Sequence, residues 1–323
     1  MLRMWSIRMK SNEEAAMEPK LDVLAEGLRF PEGPVAMADG GVLLVEIEAR
    51  RLTRIGADGT KTTVAQHTGG PNGVAMGPDG KAYVCNNGGF TWHELPGIGL
   101  IPTGQSKDYS GGRIERVDLA SGHVETLYTD CQGHPLKGPN DIVFDAHGGF
   151  YFTDLGKSRP RDMDRGAVYY AKADGSAIMP VAFPSITPNG CGLSPDGKTL
   201  YFAETESARL WAMDILEPGV VKREGWPSVN GARFLGAPGG YQRFDSLAVD
   251  GDGNICVATL INGGITVFSP DGSIVRHIPM PDPMTTNICF GGPDMRTAYV
   301  TLSGSGRLVA FAWDRAGLRL NHQ

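Results

Sequence analysis

No stretch of this chain is apolar for long enough to cross a bilayer as a helix, which takes about 18 or more residues. The first twenty residues mix Arg, Lys, Glu and Met and contain no apolar core of the kind a secretory leader needs. They are expected to form a mobile tail, residues 1–20, ahead of a single domain over 21–323. Positive charge is also scarce: 30 Lys and Arg stand against 36 Asp and Glu, a formal net charge of −6. Nucleic acid is thereby excluded as the main partner, since that affinity needs a basic footprint. Neither a membrane nor a nucleic acid is expected as a partner, and the sequence does not indicate a protein partner. The five cysteines, Cys85, Cys131, Cys191, Cys256 and Cys289, form no Cys-x-x-Cys pair, and their count is odd. That suits a reducing compartment, so a cytoplasmic location is expected, with the thiols acting as small buried hydrophobes. No Gly-x-Ser-x-Gly elbow occurs, which argues against a serine hydrolase.

What the chain has in quantity is glycine and proline, 45 and 22 residues, without a collagen-like period. Many tight turns follow, and with them an all-β fold. Six segments share one phrase: a polar residue, a short apolar run, a Gly/Asp turn and a second apolar run. The third reads Pro139-Asn140-Asp141-Ile142-Val143-Phe144, then His147-Gly148-Gly149, then Phe150-Tyr151-Phe152. The leading polar residues are Glu32, Asn72, Asn140, Asn189, Asp245 and Asn287, spaced 40, 68, 49, 56 and 42 residues apart. A unit of roughly 40–50 residues with four short strands is the period of a propeller blade. The expected fold is a six-bladed β-propeller. Asp22 to Ala25 should pair as the outermost strand of the last blade and remove an exposed edge. The long insertion Asn86–Gly112 should lie over the channel mouth as a lid.

The Pro-Asp-Gly turns are ordinary hairpin chemistry and speak to fold alone. The leading polar residues differ, because each opens the strand that lines the central channel. A lone Asn or Asp there would be read as a cap turned back on its own backbone. Six in register converge on one mouth. Carboxylates from Glu32 and Asp245 with amide oxygens from Asn189 and Asn140 make a hard, all-oxygen donor set. That set favours one divalent cation, Ca²⁺ first, with Mg²⁺, Mn²⁺ or Zn²⁺ as alternatives. Burying two carboxylates without a cation would be costly. Asn72, Arg113 and Trp92 are candidate substrate contacts beside Asn140. Asp154, Glu204 and Glu206 end second strands and are read as surface loop carboxylates.

Phe30-Pro31-Glu32-Gly33-Pro34, Pro139-Asn140-Asp141, Pro188-Asn189-Gly190 with Ser194-Pro195-Asp196-Gly197, and Phe244-Asp245-Ser246 together resemble the SMP-30/gluconolactonase/LRE (regucalcin-like) family of six-bladed propellers. The likeness covers residues 22–313. It implies a divalent metal held by Glu32, Asn189 and Asp245, with Asn140 contacting substrate or metal. It also implies that Asp245 accepts or donates the proton. The diisopropyl-fluorophosphatase type uses a similar four-residue Ca²⁺ set. Sugar-lactone members carry an Arg two residues before the Asn matching Asn140, and here that position is Gly138. Lys137 or Arg113 is the available substitute, while Phe30, Trp92 and Phe244 suit a less polar lactone or ester.

Three readings are weighed. In the first, a metal-dependent lactonase or ester hydrolase opens its substrate with the cation as Lewis acid and Asp245 as general base. The second is a non-catalytic Ca²⁺-binding or interaction propeller, and it does not require Glu32 and Asp245 together. A third is a phosphotriesterase-like hydrolase on the same site. A lyase of the strictosidine-synthase-like type is disfavoured by the full Glu/Asn/Asn/Asp set.

Overall fold

The computed structural model describes residues 19–323. The expected tail over 1–20 therefore lies outside the described residues apart from Pro19 and Lys20. Among those described, the regular structure is all strand. Six antiparallel sheets form the blades. Blade 1 comprises Pro31–Ala36, Val42–Glu46, Arg51–Ile55 and Lys61–Gln66. Blade 2 comprises Pro71–Met76, Ala82–Asn86, Arg113–Val117 and Val124–Tyr128. Blade 3 comprises Pro139–Phe144, Gly149–Asp154, Gly166–Lys172 and Ile178–Ser185. Blade 4 runs through Pro188–Leu193, Thr199–Glu204 and Arg209–Glu217. Its outer position is shared by Val220–Val221 and Arg233–Gly236. Blade 5 comprises Arg243–Val249, Ile255–Leu260, Gly264–Phe268 and Ile274–Pro279.

Blade 6 takes three strands, Thr285–Gly291, Thr297–Leu302 and Arg307–Ala312, from the end of the chain and its outer strand, Asp22–Ala25, from the start. Asp22 pairs with Ala310 and Val23 with Val309, so the expected closure is present. Each inner strand packs on the next, and the last meets the first, so the six line one axial channel.

Inner strands such as Pro139–Phe144 and Gly149–Asp154 are buried on both faces. The reason is geometric: each blade is covered on one side by the preceding blade and on the other by the following one. Exposure returns only toward the rim, where Lys61–Gln66 is largely exposed. Six apolar clusters fill the six inter-blade gaps. Between blades 2 and 3, Tyr83, Phe144, Phe150 and Phe152 share a cluster, with Tyr83 edge-on to Phe144 at 5.0 Å. Between blades 6 and 1, Leu44 and Val42 meet Leu308 and Cys289. Each fully buried side chain of this size contributes about 1.5–3 kcal/mol. All five cysteines are free and buried, as expected. Phe244, expected at the mouth, instead lies edge-on to Phe268 in the core between blades 4 and 5.

Two features lay outside the sequence expectation. The insertion after Asn86 is not an irregular loop; it holds an ordered hairpin, Phe90–Leu95 paired with Gly99–Gln105. The residues after Trp313 cross the base of the channel. Gly317 N donates to Met295 O at 2.7 Å and Leu318 N to Val249 O at 3.1 Å. The Asn321 side chain donates to Phe144 O at 3.0 Å and that of Gln323 to Phe290 O at 2.9 Å.

Candidate metal centre

The antiparallel register places the start of every inner strand and the end of every second strand at one end of the channel, the mouth. The Pro-Asp-Gly turns lie at the base. In all six blades the inner strand is irregular just after it begins: between Glu32 and Val35, Pro71 and Val74, Pro139 and Ile142, Pro188 and Cys191, Phe244 and Leu247, and Thr285 and Asn287. A bulge re-aims side chains and breaks the strict two-residue alternation. In blade 1 it needs Gly33, whose φ is 56° and where an added Cβ would stand 2.7 Å from Asn72 O.

Glu32, Asn72, Asn140, Asn189 and Asn287 are buried at these positions, and Asp245 is half-buried. Glu32 Oε2 accepts from Gly33 N and from the Asn287 side chain, both at 2.7 Å. Asn287 therefore orients Glu32 rather than standing free. The other Glu32 oxygen, Oε1, is buried with no partner, and so is Asn140 Oδ1. Asn189 donates its amide to Thr205 Oγ1 at 3.0 Å, which leaves its oxygen turned toward Ser246 Oγ at 3.4 Å. Buried oxygens left without donors are expensive unless something positive meets them.

One residue missing from the sequence expectation belongs here. Asp141 is buried; its Oδ1 accepts Ile142 N at 2.9 Å and its Oδ2 accepts Cys191 N, two residues beyond Asn189, at 3.1 Å. Burial and the neighbouring Glu32 carboxylate push its pKa up to about 7. Burial likewise drives Asp245 well above the ordinary carboxylate range, with Glu32 and Asp141 adding to the effect. Glu32 is also raised by burial, partly offset by Asn287, Thr286 and Gly33. Three mutually repelling carboxylates, that of Glu32 with one oxygen unpartnered, together with the orphaned Asn140 oxygen fit a divalent cation. No three His, Cys, Asp or Glu side chains among the described residues group as metal ligands by themselves. The donor set needs the amides of Asn140 and Asn189. Asp141 and Asn287 also line a cavity of 260 Å³ that runs down the channel and is floored by Leu318–Asn321.

The hairpin roofs one side of the mouth. Its Trp92 packs on Phe30 of blade 1 at 5.0 Å, Leu100 N donates to Gly304 O of blade 6 at 3.1 Å, and Gln105 N to Ser158 O of blade 3 at 3.0 Å. Lys157 reaches under it, donating to Gly89 O at 3.0 Å and Asn87 Oδ1 at 3.2 Å, with Nζ 3.8 Å from the centre of the Phe90 ring. Burial lowers the pKa of Lys157 to about 7.

Two expectations are corrected. Arg113 does not face substrate: its Nε donates to Glu115 at 2.6 Å and its other nitrogens to Ser110 Oγ, Gly111 O and Thr68. With His67 and Asn86 also on Glu115, it is a buried clamp between blades 1 and 2. Asp154 and Glu204 are not surface carboxylates but are buried and hydrogen-bonded to loop backbone, whereas exposed Glu206 pairs with Arg243 at 3.0 Å. Gly138 has no room for a side chain, because an added Cβ would stand 2.5 Å from Gly156 O.

The fold is a six-bladed propeller whose channel mouth gathers carboxylates and amides around orphaned oxygens. Residues 30–304 match the SMP-30/Gluconolactonase/LRE-like region, and the chain belongs to that family. It is 31% identical over 266 residues to lactonase drp35 of Staphylococcus saprophyticus, covering 82% of this chain and 74% of that protein. It is 27% identical over 332 residues to diisopropyl-fluorophosphatase of Loligo vulgaris, covering 94% of this chain and 96% of that one. Among solved structures, a gluconolactonase from Xanthomonas campestris superposes with a TM-score of 0.71 at 23% identity, over 92% of this chain and 90% of that one. A calcium-binding regucalcin from Agrobacterium tumefaciens gives 0.66 at 21% identity, over 92% and 97%. The last two likenesses concern the fold. The named sequence relatives are a lactonase and a fluorophosphatase, and this chain is an enzyme of the hydrolase class.

Proposed function

We propose that the protein is a divalent-cation-dependent hydrolase that opens a lactone or a related ester at the hairpin-covered mouth. The single observation that carries the reading is the pair of buried, unpartnered oxygens, Glu32 Oε1 and Asn140 Oδ1, beside the raised carboxylates of Asp245 and Asp141. Glu32, Asn140, Asn189 and Asp245 would hold the cation, Ca²⁺ first. When bound, it would supply Lewis-acid polarisation of the substrate carbonyl and make a nearby water more acidic. Asp245 is the group that takes the proton from the attacking water, being the least buried of the four proposed ligands. Asn140 and Asn72 orient the substrate. Phe30 and Trp92 give the mouth an apolar wall.

Gly138 leaves no space for the Arg that sugar-lactone relatives place there, so the reading favours a substrate with few hydroxyls. Lys137 is exposed and available, but its carbonyl is held by Tyr109 Oη at 2.7 Å. Phosphotriester hydrolysis on the same site is the second reading, favoured by the nearly full-length match to diisopropyl-fluorophosphatase. No helix among the described residues is long and apolar enough to cross a membrane. Five free, buried thiols suit the reducing cytoplasm.

The test is turnover of a panel of apolar lactones, aldonolactones and phosphotriesters by wild type and Asp245→Asn. Wild type should open apolar lactones, and the variant should lose at least about 10²-fold in kcat with an unchanged circular-dichroism spectrum. Full activity in the variant removes Asp245 from the chemistry.

A further inference from the structure

The inner strands are held at the mouth in an uneven way. In blades 1 to 4 the proline that opens the inner strand lies opposite the last residue of the second strand: Pro31 opposite Glu46, Pro71 opposite Asn86, Pro139 opposite Asp154 and Pro188 opposite Glu204. All four partners are polar and no more than 3% exposed. Each accepts a backbone N–H from the one or two residues just ahead of that proline. Arg29 N donates to Glu46 Oε2 at 2.8 Å and Gly70 N to Asn86 Oδ1 at 3.0 Å. Lys137 N and Gly138 N both donate to Asp154 at 2.7 Å, and Ile186 N donates to Glu204 Oε1 at 2.8 Å. In blades 5 and 6 the equivalent residues are Leu260, opposite Arg243, and Leu302, opposite Thr285. A leucine side chain accepts no hydrogen bond.

The clamps are costly to keep. A buried carboxylate is stable only when its lone pairs are met by donors. Glu46 has Arg51 at 2.8 Å and the Thr53 hydroxyl at 2.7 Å. Glu204 has the Ser185 hydroxyl at 2.6 Å. Asp154 is met by a third backbone N–H, from Gly156, at 2.9 Å. Each of these polar clusters sits one to three residues from Glu32, Asn140 or Asn189. Of the two strands whose second-strand partner is a leucine, that of Asn287 is held another way: buried Asp282 accepts Met284 N at 2.8 Å, and Asn287 itself is occupied with Glu32. Asp245 is thus the one proposed ligand whose approach strand meets no buried clamp: ahead of it Arg243 pairs only with exposed Glu206, at 3.0 Å, and Asp245 is itself less buried than the other three.

We propose that Glu46, Asp154 and Glu204 are positioning residues that preform three of the four cation ligands, and that Asp245 is left unclamped so that it can leave the cation for the proton transfer. The proposal rests on the reading that the mouth holds a divalent cation. It reconciles the two roles given to Asp245, ligand and base, by assigning rigidity to one part of the site and freedom to another.

The experiment titrates Ca²⁺ calorimetrically into EDTA-stripped, folded wild type, Glu46→Gln, Asp154→Asn, Glu204→Gln and Asp245→Asn, and measures lactone turnover at limiting and saturating Ca²⁺. Loss of an outer support typically weakens metal affinity 10–100-fold. The three clamp variants should bind Ca²⁺ weaker by about that factor and recover turnover to within a few-fold when Ca²⁺ is saturating. Asp245→Asn should remain inactive at any Ca²⁺ concentration. Ser185→Ala, which keeps the Glu204 carboxylate and removes one donor, provides a milder variant and should shift affinity in the same direction. Folded clamp variants with wild-type Ca²⁺ affinity overturn the proposal, as does turnover that stays lost at saturating Ca²⁺. A wild type that binds no Ca²⁺, Mg²⁺ or Mn²⁺ instead brings down the cation reading itself.

Discussion

Replacing Asp141 by Asn removes a charge while keeping the shape of the side chain. The carboxyl lies against Cys191 N and Ile142 N at the top of the channel cavity, beside Glu32. Its pKa is raised to about 7 in the folded protein, mainly by burial. An unfolded Asp ionises near 3.9. Between those two values the folded chain keeps a proton that the unfolded chain has released. Stability of the cation-free wild type therefore falls as pH rises through that window, and above about pH 7 the cost is fully present. At about 1.4 kcal/mol per pH decade, the total is on the order of 4 kcal/mol. The Asn variant has no such term. Its amide oxygen accepts only one of the two N–H groups and the amide nitrogen meets the other, a cost that is the same at every pH and drops out of a comparison between pH values. Its stability relative to wild type should therefore grow by about 3 kcal/mol from pH 5 to pH 8.5. The assay is urea unfolding of EDTA-treated protein at both pH values, followed by circular dichroism. With saturating Ca²⁺ at pH 8.5 the order should reverse, because wild type then has the extra charge that attracts the cation. A constant difference between the two proteins at both pH values would refute the claim that Asp141 is an electrostatically strained part of the site.

Other outcomes follow from the same geometry. EDTA should lower the melting temperature of wild type, and Ca²⁺ at about 100 times its Kd should restore about 2.7 kcal/mol; a melting temperature indifferent to both counts against the centre. Gly138→Arg should not create aldonolactone turnover and should cost about 1–3 kcal/mol or more, read by thermal unfolding, since its Cβ meets the Gly156 carbonyl at 2.5 Å. Arg113→Met should destabilise the fold by about 3–5 kcal/mol, because it leaves Glu115 buried and short of a partner, while KM of the folded fraction stays near wild type.

The six blades were legible because one phrase recurs, and because its turns can do little but close hairpins. Glu32, Asn140, Asn189 and Asp245 were legible for the same reason: polarity repeated at one register position stands out against an apolar strand. Asp141 was hidden by the bulge after Pro139. Simple alternation would put Asn140 and Asp141 on opposite faces, whereas the irregular register lets both turn toward the channel. Asp154 and Glu204 were misread because a carboxylate at a strand end normally meets water; here it meets the backbone that leads into the inner strand of its own blade. Arg113 was misread because its partner Glu115 lies two residues away on the same strand, while the groups that complete the cage, His67 and Thr68, come from another part of the chain. The hairpin Phe90–Leu95 and Gly99–Gln105 was concealed by its glycines and Pro102, which break any strand-like pattern. The channel floor was not visible at all, since its bonds come from Asn321 and Gln323 side chains rather than from a periodic segment.

That floor has a kinetic consequence. Leu318–Asn321 lines the base of the channel cavity, so on the proposed reading substrate enters and product leaves by the hairpin side. Product still in the mouth occupies the space that the next substrate requires. On the proposed reading, the ring-opened acid should therefore inhibit as a pure competitor of substrate, raising apparent KM and leaving the maximal rate untouched.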